Sequence, residues 1–365
     1  MIELRNVSKS FNDIQAVSSV DLMVEEGEVC VLIGPSGCGK STTLKMINRM
    51  IAPTEGTIFI DGQDNRIQKP ELLRRSIGYV IQSIGLFPHM NVRDNIAVVP
   101  RLMHWESERI DKRVNELMNL IDLEPDMYSK KYPHELSGGE AQRIGVARAL
   151  AADPPLLLMD EPFGAVDPLG RILLQNEFIT IQKKLKKTVI FVTHDLDEAI
   201  RLADRIAIMK DGKIVQYDTP EEILTSPANS FVRDFVGSDR SLKKLARYNA
   251  EQVMKTPVSV DINNINIHKI LHGLAEKDYN FVWAVDSRAI LHGWIDLRHP
   301  LFSSDPLSGY SKIQVQEIAV RQDDSLKSVL SRMLGQGIKN IPVIDKNGVL
   351  QGDISLFDIE KVSES

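Results

Sequence analysis

A glycine-rich segment near the N-terminus has the residue types that bind phosphate. Residues 34–41 read Gly-Pro-Ser-Gly-Cys-Gly-Lys-Ser and match the pattern G-x-x-x-x-G-K-S. Glycines let a backbone wrap around phosphate oxygens, and the N–H groups of such a loop point inward. Lys40 would then reach the β- and γ-phosphates of a nucleotide, and the Ser41 hydroxyl would ligate Mg²⁺. The segment follows an apolar run and opens a helical pattern, which is the context that this motif requires.

An acidic pair ends a second apolar run. Residues 156–159 are Leu-Leu-Leu-Met, and Asp160 and Glu161 follow them. A carboxylate at a strand end can hold Mg²⁺, mostly through water, and we expect this of Asp160. Glu161 is placed to polarise or deprotonate an attacking water. The alternative is an exposed acidic pair after a core strand, which the neighbouring phosphate loop disfavours.

A serine and two glycines precede another helical pattern. Ser137, Gly138 and Gly139 would put free N–H groups at a helix N-terminus, which is an anion-binding surface. The alternative is an ordinary helix N-cap. Because the loop at 34–41 already covers one side of the phosphates, a second set of donors is most useful if it faces the γ-phosphate across a dimer.

The sequence around these residues resembles the ATP-binding subunits of ABC transporters. Residues 136–140, LSGGE, resemble the LSGGQ signature of that family, with Glu140 in place of glutamine. The resemblance implies four further residues of the site: a glutamine that touches Mg²⁺ and the attacking water (Gln82), a residue of the loop that crosses the dimer (Asp167), a switch histidine at the γ-phosphate (His194) and an aromatic ring that stacks on adenine (Phe11).

The resemblance therefore implies a site for ATP and Mg²⁺ that two copies of the chain share. The expected catalytic residues are Lys40, Gln82, Glu161 and His194. The expected Mg²⁺ ligands are Ser41, Gln82 and Asp160. The residues expected around the nucleotide are Phe11, Gly34, Pro35, Ser36, Gly37, Cys38, Gly39, Lys40, Ser41, Thr42, Ser137, Gly138, Gly139, Glu140 and Asp167.

Alternating strands and helices must position these residues. Residues 29–33, 155–160 and 188–195 contain short apolar runs typical of strands buried on both faces. Residues 205–218 read as a hairpin that turns at Asp211-Gly212, and Thr219 reads as the N-cap of the next helix. The pattern predicts an α/β domain over residues 1–237 with a helical insert at about 85–150. The resemblance implies the P-loop NTPase fold of the ABC type, in which the insert is a helical subdomain.

The C-terminal region contains an internal repeat. Residues 284–297 align with residues 343–356, and each copy has an aspartate-led turn between two apolar runs. Two such units usually pack together, because one unit cannot bury its own apolar face. The sequence predicts a linker over 238–252 and repeats over 253–301 and 313–365, which together resemble an α+β tandem CBS module.

The second repeat carries a pattern that holds a nucleotide ribose in CBS modules. Gly352-Asp-Ile-Ser355-Leu-Phe-Asp358 fits this pattern, so Ser355 and Asp358 are candidates for a regulatory nucleotide site. The first repeat has Asp296 and His299 at the equivalent positions, which leaves at most one such pocket. A purely structural repeat and a charge-based sensor of ionic strength stay open as alternatives.

Longer segments resemble one group of ABC ATPases more closely. Residues 77–96, 132–168 and 191–209 are similar to the ATPase subunits of importers for osmoprotectants such as glycine betaine, choline, carnitine and proline-type solutes. This resemblance implies a homodimer that works with transmembrane permease subunits and an extracytoplasmic substrate-binding protein. It also implies a peripheral position on the cytoplasmic face of the cell membrane.

Composition limits the other classes of function. With 44 basic and 50 acidic residues among 365, the net charge of −6 gives no general attraction to nucleic acid. The two cysteines, Cys30 and Cys38, disfavour a disulfide framework or a zinc site. A soluble ABC ATPase of DNA repair or translation is disfavoured because sustained heptads and a basic stripe are absent from the sequence. An importer of another small solute, such as an amino acid, and a sensor whose ATPase is vestigial are the remaining alternatives.

Overall fold

The computed structural model describes residues 1–81, 85–164, 166, 168–237, 240–277, 279–302, 305–312 and 315–364. The predicted site residues Gln82 and Asp167 lie outside these described residues. The chain divides into two compact units, Met1–Ser238 and Asp239–Ser365.

The first unit is built from two sheets and the helices around them. Its strands are β1 Ile2–Phe11, β2 Ile14–Val24, β3 Val29–Ile33, β4 Glu55–Ile60, β5 Gln63–Asp64, β6 Ile77–Val80, β7 Leu156–Asp160, β8 Thr188–Thr193, β9 Arg205–Lys210 and β10 Lys213–Asp218. Its helices are α1 Lys40–Ile47, α2 Pro70–Arg75, α3 Val92–Leu102, α4 Ser107–Leu120, α5 Pro125–Tyr128, α6 Gly138–Leu150, α7 Pro168–Leu185, α8 Leu196–Leu202, α9 Pro220–Thr225 and α10 Ser230–Val236.

The central sheet has the order β10-β9-β3-β8-β7-β6. Strands β6, β7, β8, β3 and β9 are parallel, and β10 pairs with β9 as the predicted antiparallel hairpin. Every residue of β3, β7 and β8 is buried, because helices or the second sheet cover both faces. Since these three strands are adjacent and parallel, the loops after their carboxyl ends meet at one edge of the sheet.

The second sheet and the helical insert flank this core. Strands β2, β1, β4 and β5 form the antiparallel sheet, which packs its apolar face on α1 and on one face of the central sheet. Between β6 and β7, where the sequence predicts a helical insert, the described residues form helices α3 to α6 and no strand. Their apolar stripes share one core with the other face of the central sheet.

The second unit contains two similar halves. Its strands are β11 Ser259–Asp261, β12 Phe281–Val285, β13 Leu291–Asp296, β14 Tyr310–Lys312, β15 Val320–Arg321, β16 Asn340–Ile344 and β17 Leu350–Ser355. Its helices are α11 Arg240–Leu245, α12 Ala250–Val253, α13 Ile267–Ala275, α14 Val315–Ile318, α15 Leu326–Gln336 and α16 Leu356–Glu364. The sheets are β11-β12-β13-β14 and β15-β16-β17.

The two halves repeat the same hairpin in the same register. Ala284 pairs with Gly293 in β12–β13, and Val343 pairs with Gly352 in β16–β17, at the offset seen in the sequence repeat. The hairpin turns also bond to each other, because Leu291 N donates to Gly348 O at 3.1 Å. The predicted packing of two repeat units is therefore confirmed.

Residues 240–252, within the segment for which the sequence predicts a linker, contribute to the second unit. Helix α11 lies in this segment and α12 begins in it, and Leu245 and Ala250 are buried in the same core as Ile341 and Ile354. Because most residues of α11 are polar, the composition of the segment gives no sign that Leu245 is buried. No helix of the described residues is both long and apolar enough to cross a bilayer.

Candidate active site

The loop between β3 and α1 has a backbone that requires glycine. Gly34, Gly37 and Gly39 have φ values of 154°, 80° and 103°. A Cβ on Gly34 would lie 2.1 Å from Met209 O, and a Cβ on Gly39 would lie 2.5 Å from Ala16 O. Larger residues are therefore excluded at both positions, and the loop holds its shape through this close packing.

Lys40 lies at the start of α1 with its side chain folded over this loop. Its Nζ donates to Gly34 O at 2.7 Å and to Pro35 O at 3.0 Å, and the residue is 7% exposed. The carbonyl bonds hold a nearly buried ammonium inside the loop, where it can meet an anionic ligand.

Ser41 and Asp160 meet across two neighbouring loops. Ser41 Oγ donates to Asp160 Oδ1 at 2.9 Å, and Asp160 is 8% exposed. Burial raises the pKa of the Asp160 carboxyl. The hydrogen bond from Ser41 and the positive charges of Lys45 and Lys40 each oppose part of this shift. A hydroxyl and a buried carboxylate are oxygen ligands that suit Mg²⁺. The described residues hold no cluster of three or more His, Cys, Asp or Glu, so a cation here would also need ligand or water oxygens.

Glu161 and His194 complete the edge of the sheet. Glu161 follows β7 with φ 45°, and its N–H donates to Val192 O at 2.9 Å, which fixes the turn beside β8. His194 follows β8, and its Nδ1 lies 3.3 Å from Glu161 Oε2. The two side chains and the loop enclose a cavity of about 270 Å³, which is lined by Ser36, Gly37, Gly39, Lys40, Ser41, Thr42, Glu161 and His194.

Phe11 and Cys38, which are also predicted to contact the nucleotide, are not among the residues that line this cavity. Phe11, at the end of β1, is 44% exposed, and Lys9 Nζ lies 5.0 Å from its ring centroid. Cys38 is buried with its sulfur 3.8 Å from Lys40 Nζ. Phe11 therefore presents a ring to solvent, whereas Cys38 belongs to the packing beneath the loop.

Ser137, Gly138 and Gly139 begin α6 in the helical insert and do not line the cavity. Ser137 is the N-cap and is exposed, and a Cβ on Gly138 or Gly139 would meet no atom within 4 Å. The start of α6 is therefore open on the side where side chains at 138 and 139 would lie.

Glu140, which departs from the signature of the family, closes a capping box. Ser137 N donates to Glu140 Oε2 at 2.7 Å, and Glu140 N donates to Ser137 Oγ at 3.3 Å. Tyr128 OH donates to Glu140 Oε1 at 2.7 Å. The bond from the Ser137 backbone is the main reason that the pKa of Glu140 lies below its usual value, and Tyr128 and Lys131 add to the effect. Sequence reasoning missed Tyr128, since nothing in the spacing links it to residue 140.

The tail candidates Ser355 and Asp358 lie at the junction of β17 and α16. Ser355 N and Oγ both donate to Asp358 Oδ2, and Lys255 Nζ forms an ion pair with Asp358 Oδ1. Burial alone would raise the pKa of Asp358, but Lys255 and Ser355 outweigh it and the pKa is lowered. Both carboxylate oxygens are thus engaged within the chain. The part played by Lys255 could not be seen in the sequence, because Lys255 lies in the first repeat, about 100 residues before Asp358.

Comparison with known proteins agrees with this architecture. The ABC transporter family profile matches residues 17–164, and the CBS domain profile matches residues 313–365. The carnitine transport ATP-binding protein OpuCA of Listeria monocytogenes is 49% identical over 98% of this chain and 92% of its own. The osmoprotectant import ATP-binding protein OsmV of Salmonella typhimurium is 45% identical over 97% of this chain and 94% of its own.

A solved structure shares the fold of the first unit. The ATP-binding cassette MJ0796, seen as a dimer in a post-hydrolysis state with ADP and Pi, superposes with a TM-score of 0.54 at 32% identity. The match covers 60% of this chain and 99% of that one.

The fold and the sequence similarity define an ATP-binding cassette of the ABC type, a class whose members hydrolyse ATP. Within this class, the chain belongs to the family of ABC transporter ATP-binding proteins that carry a C-terminal CBS domain. The fold class and the family predicted from the sequence are both confirmed.

Proposed function

We propose that this chain is the ATP-hydrolysing subunit of an ABC importer for osmoprotectants such as glycine betaine, carnitine and choline. The support is similarity that extends through the tail to relatives named for these solutes, at 44–49% identity over 97–98% of this chain. An importer of another solute, such as an amino acid, would share the cassette and is the second candidate.

The observation that carries the proposed chemistry is the cavity that Lys40, Ser41, Glu161 and His194 line together. The loop N–H groups and the Lys40 ammonium bind the β- and γ-phosphates of ATP and stabilise the charge of the transferring phosphoryl group. Ser41 and Asp160 fit as holders of Mg²⁺ because they converge as a hydroxyl and a buried carboxylate. When bound, Mg²⁺ supplies positive charge to the phosphate oxygens.

Glu161 acts as the general base in this proposal. Its carboxylate takes a proton from the water whose oxygen bonds to the γ-phosphorus, while the bond from that phosphorus to the bridging oxygen breaks and ADP leaves. His194, 3.3 Å from Glu161 Oε2, holds the carboxylate in position and contacts the γ-phosphate. Gln82 is proposed to orient the water and contact Mg²⁺, and Phe11 to stack on adenine.

The second half of the site is proposed to come from another copy of the chain. Ser137, Gly138 and Gly139 are exposed or open to solvent and lie outside the cavity lining of their own chain. The N–H groups of Gly138 and Gly139 would face the γ-phosphate bound by the partner, with Ser137 and Asp167 beside them at the dimer interface. ATP then favours the closed dimer because these contacts exist only there.

The partners of this subunit are proposed from the same resemblance. They are transmembrane permease subunits and an extracytoplasmic substrate-binding protein. The chain would sit as a homodimer on the cytoplasmic face of the membrane, held there by the permease.

The tail is proposed to regulate uptake through one adenine nucleotide at Ser355 and Asp358. Ribose hydroxyls would replace Ser355 and Lys255 as the partners of the Asp358 carboxylate. A structural role competes with this proposal, since these contacts already satisfy both oxygens of Asp358 within the chain.

The cargo is tested by uptake of radiolabelled glycine betaine, carnitine, choline and a control amino acid in cells that lack this subunit. We expect the intact chain to restore osmoprotectant uptake and the Lys40→Ala variant to fail, with equal protein levels. Uptake of the amino acid alone would instead support the second candidate.

A further inference from the structure

The turn that carries His194 joins β8 to α8. His194 follows Thr193, the last residue of β8, and α8 begins at Leu196 after the N-cap Asp195. The side chain of His194 is 64% exposed, so packing of the imidazole itself restricts it little. Its place beside Glu161 therefore depends mainly on the backbone of this turn.

The hydroxyl of Thr193 fixes the turn. Thr193 is 2% exposed, and its Oγ1 accepts a hydrogen bond from Asp195 N at 3.0 Å. This bond spans His194, which is the one residue between the two. The same hydroxyl donates to the carboxylate of Glu198, since a hydroxyl can accept and donate at once. One hydroxyl thus ties the backbone on both sides of His194 to a carboxylate of α8.

Glu198 contacts the turn a second time through its backbone. Its N–H donates to Asp195 Oδ1 at 3.2 Å, which is the N-cap bond of α8. The side chain of Glu198 points inward, because the residue is only 5% exposed. The residue therefore holds the turn from beneath at two points.

Helix α7 holds the Glu198 carboxylate in place. Gln175 of this helix is 6% exposed, and its Nε2 donates to Glu198 Oε1 at 3.0 Å. Arg201 Nη1 donates to Gln175 Oε1 at 3.2 Å, which fixes the amide with its Nε2 toward Glu198.

The carboxylate is buried at a cost that its hydrogen bonds reduce. Burial raises the pKa of Glu198, and the bonds from Thr193 and Gln175 oppose part of the shift. Because a buried carboxylate lowers stability unless donors satisfy it, the identity of these donors is informative. One donor belongs to the turn and the other to a neighbouring helix, so the carboxylate joins the turn to a fixed part of the core.

We infer that Glu198 is a positioning residue for His194, which it holds at the phosphate cavity through the Thr193 hydroxyl. This inference rests on the proposed role of His194 at the γ-phosphate. Glu198 itself does not line the cavity. Its loss should therefore slow hydrolysis without weakening the binding of ATP, which depends on Lys40 and the glycine-rich loop.

The test measures kcat and KM for ATP with the full-length chain. Glu198→Met keeps the length of the side chain but removes both acceptor oxygens. We expect kcat to fall about 10- to 100-fold, because a displacement of about 1 Å costs up to about 100-fold, while KM stays close to wild type. Thr193→Val should cause the same fall, and Thr193→Ser, which keeps the hydroxyl, should not.

Glu177→Gln is the matched control. Glu177 is a partly buried glutamate of α7 whose pKa burial also raises, but its partner is Arg143 rather than the turn. We expect this variant to keep its kcat. A general loss of packing would instead lower thermal stability in both glutamate variants and leave the kcat of the folded protein unchanged.

A second measurement asks whether Glu198 acts through His194. In a His194→Ala background, residual hydrolysis followed in single turnovers should not fall further when Glu198→Met is added, because the two residues then act as one unit. An equal further fall would overturn the inference, and so would a normal kcat in Thr193→Val or a similar loss in Glu177→Gln. If Glu198→Met does not fold, Thr193→Val is judged by the same criteria.

His194→Ala alone separates the inference from the proposal beneath it. If this variant hydrolyses ATP at the wild-type rate, the proposed role of His194 is wrong and the inference falls with it. If it is impaired while Glu198→Met keeps its kcat, the inference alone is wrong.

Discussion

The Ser41 hydroxyl donates a 2.9 Å hydrogen bond to the Asp160 carboxylate, although 119 residues separate them in the chain. The parallel order β3-β8-β7 brings their loops to one edge of the sheet. Asp160 is nearly buried there, and burial is the main reason for its raised pKa. Burying this carboxylate therefore lowers the stability of the protein when no cation is bound, but it places an oxygen ligand where a cation can bind.

Asp160→Asn should stabilise the protein while it inactivates the site. An acid whose pKa is raised in the folded state makes folding less favourable as pH rises through its pKa range. Without Mg²⁺ at neutral pH, we expect a higher midpoint of thermal unfolding, at about 2–4 °C per kcal/mol relieved. The gain should vanish at acidic pH, where Asp160 is protonated in both states. Scanning fluorimetry across pH checks this, and an equal gain at every pH would contradict it.

Glu161→Gln should separate binding from hydrolysis. The amide keeps the shape of the side chain but cannot take a proton from water, so turnover should fall at least about 100-fold. ATP affinity should be unchanged, because Lys40 and the loop provide the phosphate contacts. Phosphate release and a fluorescent-nucleotide titration measure the two quantities. Near-normal turnover would remove Glu161 from the role of base.

Glu140 should give the start of α6 a pH-dependent stability. The pKa of Glu140 is lowered in the folded protein, mainly by the hydrogen bond from the Ser137 backbone. Its contribution to folding stability is therefore fully present above the pKa that Glu140 has in the unfolded chain, and it is lost as the pH falls through the pKa of Glu140 in the folded protein. Glu140→Ala should cost about 0.5–2 kcal/mol, as loss of a helix cap does. Glu140→Gln, which still fits a capping box, should cost less and remove the pH dependence.

Hydrogen exchange of residues 137–143, measured at acidic and neutral pH, reports on this cap. The Asp94 residue of α3, which pairs with Arg101 outside this cap, offers a control in Asp94→Asn. Identical pH profiles for Glu140→Gln and wild type would show that another group is responsible.

The tail proposal depends on the Asp358 carboxylate. In a full-length Lys40→Ala background, where the cassette binds ATP poorly, we expect AMP to give a calorimetric signal. Asp358→Asn should weaken this binding at least about tenfold, because hydrogen bonds to a charged group are lost. Lys255→Met should preserve binding, since it frees Asp358. No heat from the Lys40→Ala chain would leave Asp358 as a structural cap of α16.

The sequence was sufficient for most of the cassette. The apolar runs before Gly34, Asp160 and His194 predicted buried strands, and strand order in a parallel sheet then required the three loops to meet. The repeat at an offset of 59 residues likewise predicted both hairpins of the tail, because each copy carries its own turn. Each of these strands and turns is determined by residues that are close together in the sequence, so a short stretch of sequence is enough to predict it.

Long-range side-chain contacts were not predictable in this way. Tyr128 and Lys255 reach Glu140 and Asp358 through the tertiary fold, and their own neighbours in sequence carry no sign of it. The linker predicted over 238–252 also differs from the structure, because Leu245 is 1% exposed in the core of the second unit. Short helices bury one or two side chains, which is too few to create a periodic pattern.

The central claim is that the Lys40 loop of one protomer and Ser137 of the other form one ATP site. The most direct measurement mixes two inactive full-length variants, Lys40→Ala and Ser137→Arg, and records ATP hydrolysis by the assembled transporter. In a mixed dimer, one site combines the intact loop of the second variant with the intact Ser137 of the first. We predict that activity returns on mixing; a mixture as inactive as its components would contradict the shared site.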